Sequence, residues 1–481
     1  MNLLAEQSPL PAEAQGPAGS SRSSSNLGAV NGATATGPQS ASGVVSSAPP
    51  MRPQALQAAA LQAASPSSIT PPLTTAWRTL MALPLLQWPE HGDALSHHEP
   101  MVLDALWRLG ATAEAAQQAL PRLRPRPPAR SLSPAELMQL EAPCALPHPE
   151  VLHGQVQAWP ELVRHERAQL RLLGPQAALA ECLDAVLPGA GGAAFHPVIR
   201  LAHAWPHGEM ARAQAMAYAR ARIMPLPPAR APAGQGENST PEEAHHHRLP
   251  SVFWQAWQAA RTRMSASQVP PLAHAQLIAW RMQGWAQTPE HAHFAGQLLQ
   301  ALAGQPAPQA LQTLARWAAL AYAATGSFTV LHMATASHAL IQLHEQVPEA
   351  VLWPRHLPAL VSAYAAAWLS TARMDLGWGE ESAELESQPE APVGNRTGPS
   401  MACTASTVST ADEPGSHEPP EQFAPLEAWR QRLLPAMLAR GDDHDIKLSA
   451  ALLQRWQADP QAAAVWQQAL SRLALKLWPE G

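Results

Sequence analysis

The chain of 481 residues is 46% hydrophobic and only 14% charged, which supplies apolar side chain for a large core. Its net charge of −6, with no basic block, speaks against nucleic acid as the main partner. The most apolar stretches, such as 311–324 and 357–372, are short and interrupted by polar residues, so no membrane span is expected. Cys144, Cys182 and Cys403 form no metal-type or redox-type spacing, and the first residues lack the basic start and apolar run of a secretory signal. A reducing, cytoplasmic setting is the expectation.

Residues 1–72 are dominated by Ala, Ser, Gly, Pro and Gln and hold few large apolar side chains. Burial there cannot offset chain entropy, so a disordered tail is expected, with one domain over 73–481. Two inserts of similar composition, about 225–250 and 380–422, read as disordered loops between helices. Elsewhere Ala, Leu, Gln and Arg recur with apolar spacings of three and four, the helical period. Helices are expected over 74–87, 97–110, 112–120, 134–141, 158–172, 175–187, 193–222, 251–264, 271–285, 289–303, 307–324, 327–346, 355–375, 424–440, 442–457 and 460–477. Alternating β-branched runs are missing, which predicts an all-α, bundle-like domain. With 17 Trp against 3 Tyr and 5 Phe, indole is the expected aromatic filler of its core.

Most of the 21 histidines carry no signal. His245, His246, His247 and His417 sit in polar inserts, and His274, His291 and His293 read as surface or helix-end residues. A smaller set stands on apolar helices: His97 and His98 in HHEPMVLDALWRLGA, His196 and His203 in AAFHPVIRLAHAW, His332 and His338 in SFTVLHMATASHAL, and His444 in DDHDIKLSAAL. Each alone reads as a core or cap residue. Histidines on four helices of one bundle, however, are how bundles build metal sites. Lys447 follows His444 by three residues, on the same helix face, and the chain's other lysine is Lys476. No GxSxG elbow, Walker loop or HExxH competes, and Gly189–Gly192 follows a helix, the wrong context for a dinucleotide fingerprint.

Those four motifs, in that order and spanning about 75–477, resemble the questin oxidase-like family, which includes fungal enzymes that oxidatively open anthraquinone- and xanthone-type rings. The resemblance implies a mostly helical oxidoreductase using O2 on a small aromatic substrate, by Baeyer–Villiger-like or dioxygenase-like chemistry, in some members with NADPH. It also implies a mononuclear non-haem iron held by four histidines and a carboxylated lysine. Matched motif by motif, the ligands are His98, His196, His332, His444 and Lys447 as its carbamate. Two positions depart from the family pattern: His97 stands where Asn is usual, and Arg200 where fungal members often carry His. His97 is thereby a possible substitute ligand, and Arg200 a candidate contact for an anionic or phenolate substrate oxygen.

Chemistry agrees with that ligand set. Imidazoles bind first-row metals at roughly 2.0–2.1 Å, and histidines with a carboxylate donor and an open position suit iron and oxygen. A lysine cannot coordinate as ammonium; once neutral it can add carbon dioxide and become an anionic oxygen ligand. Trp107 and Trp205 are candidates for an aromatic pocket wall. Two other readings stay open: a hydrolase whose zinc-type metal activates water, and a helical scaffold whose histidines are merely packed.

Overall fold

A computed structural model describes residues 72–92, 94–124, 128–142, 144, 148–232, 248–348, 352–373 and 424–478. The fold is all-α. Among the described residues the only sheet is a two-residue antiparallel pair, β1 (Glu90–His91) and β2 (Leu95–Ser96), which the sequence reading had not foreseen. It turns the chain immediately before His97 and His98. The expected tail, except residue 72, and the insert 380–422 lie outside the described residues.

The helices run in chain order as α1 (Thr75–Ala82), α2 (Glu99–Arg108), α3 (Ala113–Leu123), α4 (Pro134–Glu141), α5 (Trp159–Leu173), α6 (Pro175–Val186) and α7 (His196–Ala204). There follow α8 (Glu209–Ala221), α9 (Ser251–Ser265), α10 (Ile278–Trp285), α11 (Pro289–Ala301), α12 (Ala307–Thr325), α13 (Phe328–Gln346) and α14 (Leu352–Leu369). The C-terminal set is α15 (Ala424–Arg440), α16 (Asp443–Ala458) and α17 (Ala463–Leu477).

Two expected helices are broken. The stretch 193–222 divides into α7 and α8 because Pro206 lacks an N–H donor and Gly208 caps α8 from an extended conformation. The stretch 271–285 is a short 3-10 turn, Pro271–His274, an extended Ala275, and then α10. The first part of the expected insert 225–250 also differs: Leu226 and Ala229 are buried, and the Ala229 amide donates to the Pro358 carbonyl of α14 at 3.0 Å. Its two apolar side chains anchor it to the body.

The core is indole-rich, as composition suggested. Trp159, Trp285, Trp353, Trp368 and Trp466 are fully buried. Four of them place their N–H on a main-chain carbonyl: Trp159 on Gln214, Trp353 on Val347, Trp368 on Phe253 and Trp466 on Asp459. The pairing offsets the cost of removing that polar group from water. No helix among the described residues is long and apolar enough to cross a membrane.

What positions the site is a closed ring of four helices. α2 packs on α7, α7 on α13, α13 on α16, and α16 back on α2. Each carries one of the four candidate histidines at or near its first turn: His98 is the N-cap of α2, His196 opens α7, His332 is in the second turn of α13, and His444 is the second residue of α16. Gly441, at φ +71°, ends α15 in the left-handed conformation that suits a residue without Cβ. Asp442 then caps α16, its carboxylate accepting from the amides of His444 at 3.0 Å and Asp445 at 3.3 Å. Such a cap is worth about 1 kcal/mol.

Candidate metal centre

The four histidines meet. Ring centroids are 4.6 Å apart for His98 and His196, 4.6 Å for His98 and His444, 5.0 Å for His196 and His332, and 5.1 Å for His332 and His444. All four line one cavity of about 880 Å³. One candidate ligand atom from each of His98, His196 and His444 falls within a 4.8 Å group, and the same holds for Asp442, Asp443 and His444.

Each ring is fixed through Nδ1 by an oxygen. Asp443 serves two of them: Oδ2 meets His98 Nδ1, and Oδ1 lies 2.6 Å from His444 Nδ1. His196 Nδ1 meets the Ala193 carbonyl, and His332 Nδ1 meets the Phe328 carbonyl at 2.8 Å. Carbonyl and carboxylate oxygens only accept, so all four protons belong on Nδ1 and all four Nε2 lone pairs are bare. Yet His98 Nε2 and His196 Nε2 are 2.7 Å apart. Two bare lone pairs at that distance repel unless a cation lies against both, or one ring takes a second proton.

Protonation is opposed by the surroundings. Burial, and then the charge of Lys447, lowers the His98 imidazole to a pKa of about 3. Burial holds His196 and His332 well below the usual histidine range and lowers His444. The positive ends of four helices point the same way. A buried set of neutral imidazoles with carboxylate and carbonyl orienters is the donor chemistry of a first-row divalent ion, and the residues fit one.

The backbone is bent to make this arrangement. Ala193, Ala194 and Phe195, directly before His196, all have positive φ (43°, 56° and 68°). The left-handed region costs an L-residue roughly 1–2 kcal/mol, so three in succession are held only by their surroundings. Gly192 allows it: a Cβ there would meet the Arg222 carbonyl oxygen at 1.8 Å.

Lys447 is 2% exposed and does not line the cavity, yet its charge bears on all four histidines. Burial lowers its ammonium pKa to about 8, against the opposing pull of Asp443 and Asp442. Asp445, on another face of α16, turns away to Lys476 Nζ at 2.6 Å. Asp443 carries the opposite balance: burial alone would raise its carboxyl, but His98, His444 and Lys447 hold it far below the usual range.

Other candidates fall elsewhere. Arg200 is buried and lines a different cavity; its Nη1 donates to the carbonyls of Pro89 at 3.1 Å and His97 at 3.4 Å, and its guanidinium lies over Tyr218. The structure therefore does not bring Arg200 to the histidine cavity: α7 presents its N-terminal end there, and Arg200 is one turn deeper. His97 is wholly buried beside Glu99, with both ring nitrogens lacking a hydrogen bond, and does not join the cluster. His203 donates to Asp104 at 2.8 Å, and His338 pairs with Gln454 at 2.7 Å. His291, read as a surface or helix-end residue, is buried against the Ser362 carbonyl.

Trp107 and Trp205 do not line the cavity; Trp280 and Phe328 do. These two are 51% and 48% exposed, open aromatic surface facing the histidines' cavity. Asp443, Trp280, Phe328 and Arg281 are the site residues sequence reasoning missed. Only the first had a signal, in the unusual run Asp442-Asp443-His444-Asp445. Compared with known protein families and with curated proteins, the chain matches none.

Proposed function

We propose that this chain is a non-haem iron oxidoreductase, an oxygenase that uses O2 on an aromatic carbonyl substrate, in the manner of the questin oxidase-like family. One observation carries the metal: four imidazoles fixed through Nδ1, with the bare Nε2 atoms of His98 and His196 at 2.7 Å. His98, His196, His332 and His444 would hold the ion, with Lys447 as its carbamate. An ammonium at Lys447 would set a cation against a metal and four helix N-termini; a carbamate there supplies the compensating negative charge. Bound iron would supply the redox chemistry that lets O2 react with the substrate.

The chain's own residues do the rest. Asp443 and the two carbonyls keep the rings in one tautomer and orientation. Trp280 and Phe328 offer faces on which an aromatic substrate stacks, and a cavity of about 880 Å³ is large enough for a polycyclic one. The family resemblance supports the oxygenase chemistry, and alone supports NADPH as reductant. The cytoplasm is the proposed setting, in keeping with the free thiols of Cys144 and Cys182.

The test is metal content and oxygen uptake of the full chain purified without a histidine tag. About one iron per chain is expected, as a single centre of this kind would hold, with O2 consumed on addition of a hydroxylated anthraquinone. Zinc with no oxygen uptake would favour the hydrolase instead. Metal well below one per chain would leave a scaffold.

A further inference from the structure

One wall of the histidine cavity carries two arginines that have no carboxylate partner among the described residues. Of the other arginines on the same cavity, Arg222 pairs with Glu90 and Arg124 with Glu99 at 3.3 Å, while Arg122 has no carboxylate partner among the described residues. Arg281 and Arg373 also line it, and among the described residues no carboxylate pairs with either. Both reach the same main-chain oxygen: Arg281 Nη1 donates to the Ala275 carbonyl at 3.3 Å, and Arg373 Nη1 donates to it at 3.1 Å. Two like charges thus stand side by side.

Arg281 is 7% exposed, and its Nε–H is buried with no partner. Its Nη2 donates to Thr329 Oγ1 at 3.3 Å, in the first turn of α13 and three residues before His332. The positive end of α13 therefore adds to the two guanidiniums. Burial and the neighbouring Arg373 depress the Arg281 pKa to about 10. Trp280, the residue before Arg281, is half exposed and faces the same space.

We propose that Arg281 and Arg373 seat the carboxylate of an aromatic acid whose ring lies against Trp280, so that the cavity selects an anionic arene over a neutral one. A planar carboxylate matches the guanidinium fork, and both charges are then compensated. As a statement about substrate, this rests on reading the cavity as catalytic. As a binding site it stands on the arginines and Trp280.

Calorimetric titration of the full chain with naphthalene carboxylate and with naphthalene carboxamide tests it. The carboxylate should bind at least about tenfold more tightly. Arg373→Gln, at an exposed position, should lose about tenfold in carboxylate affinity and leave the carboxamide unchanged. Arg281→Lys should weaken the carboxylate in the same selective way while keeping the buried charge. Equal binding of the two probes, binding of neither, or equal weakening of both in the variants would overturn the proposal. The same titrations on chelator-stripped protein separate this inference from the metal reading. Carboxylate preference that survives stripping and falls in the variants supports the arginine site whatever the metal content. Preference that vanishes on stripping and ignores the variants places the anion on the metal and overturns it.

Discussion

His98 and His196 face each other Nε2 to Nε2 at 2.7 Å, and neither ring has a proton to place between them. The His98 proton is committed to Asp443 and the His196 proton to the Ala193 carbonyl. Four-helix rings commonly close over apolar side chains. This one closes over imidazoles whose mutual repulsion the proposed ion would relieve.

Asp443 holds two of those rings, so its charge should matter more than its shape. Asp443→Asn is expected to lower metal affinity about 10–100-fold, the usual cost of losing such an orienting partner. Competition against a chelator of known affinity measures it. Unchanged affinity would mean that the carboxylate does not fix the rings.

Lys447 and Lys476 make a controlled pair. Lys447→Ala should lose the metal and, in protein grown or soaked with labelled bicarbonate, the carbamate carbon resonance. Lys476→Ala should keep both and lose stability instead, because Lys476 Nζ neutralises the buried Asp445 at 2.6 Å and also meets Asp442 at 2.9 Å. With Lys476 partly exposed and Arg440 still 3.9 Å from Asp445, about 2 kcal/mol is the expected loss, below the figure for a fully buried pair. A carbamate resonance persisting in Lys447→Ala would sink that residue's role.

Asp104 gives a pH signature away from the metal. It is fully buried and accepts from His203 at 2.8 Å, His207 at 2.8 Å and Arg108 at 2.6 Å. Burial alone would raise its carboxyl, but Arg108 and the two histidines hold it well below the usual range. The stability this adds is present above the unfolded carboxylate pKa of about 3.9 and is lost as pH falls toward the depressed folded value. Asp104→Asn should therefore cost about 2–4 kcal/mol at neutral pH, and the gap from the parent should narrow in acid. Urea unfolding across a pH series reads it; a constant gap would show that the charge is not what stabilises.

Gly192→Ala places a methyl within 1.8 Å of the Arg222 carbonyl oxygen, in the turn that aims His196. A loss of several kcal/mol is expected, read as a fall in melting temperature together with metal release. Normal stability and metal content would show that the turn is free to shift.

The helices were legible because apolar spacing survives in any amphipathic segment, and the histidines because they open or lie within four such segments. What failed was local punctuation and distant contact. Pro206 and Gly208 break 193–222, although Ala and Arg on either side favour a helix. Arg200 lies one turn from His196, on the correct face, but the cavity is at the helix end and not along its side. Trp280 and Arg281 reach the cavity only through the fold of the chain around Ala275, which no spacing encodes. Within 442–445, Asp442 caps α16 locally, but the orienting role of Asp443 depends on His98, far away in sequence.

That distance sets an order of events during synthesis. His98 and Asp443 are separated by 345 positions, and the ring of α2, α7, α13 and α16 cannot close before α16 leaves the ribosome. Until then the histidines of α2, α7 and α13 lack the fourth imidazole and the Asp443 carboxylate that orients His98. Capture of the proposed ion would therefore be a late step, coupled to docking of α16, and the rate of metal uptake by refolding protein should follow the closure of that final contact.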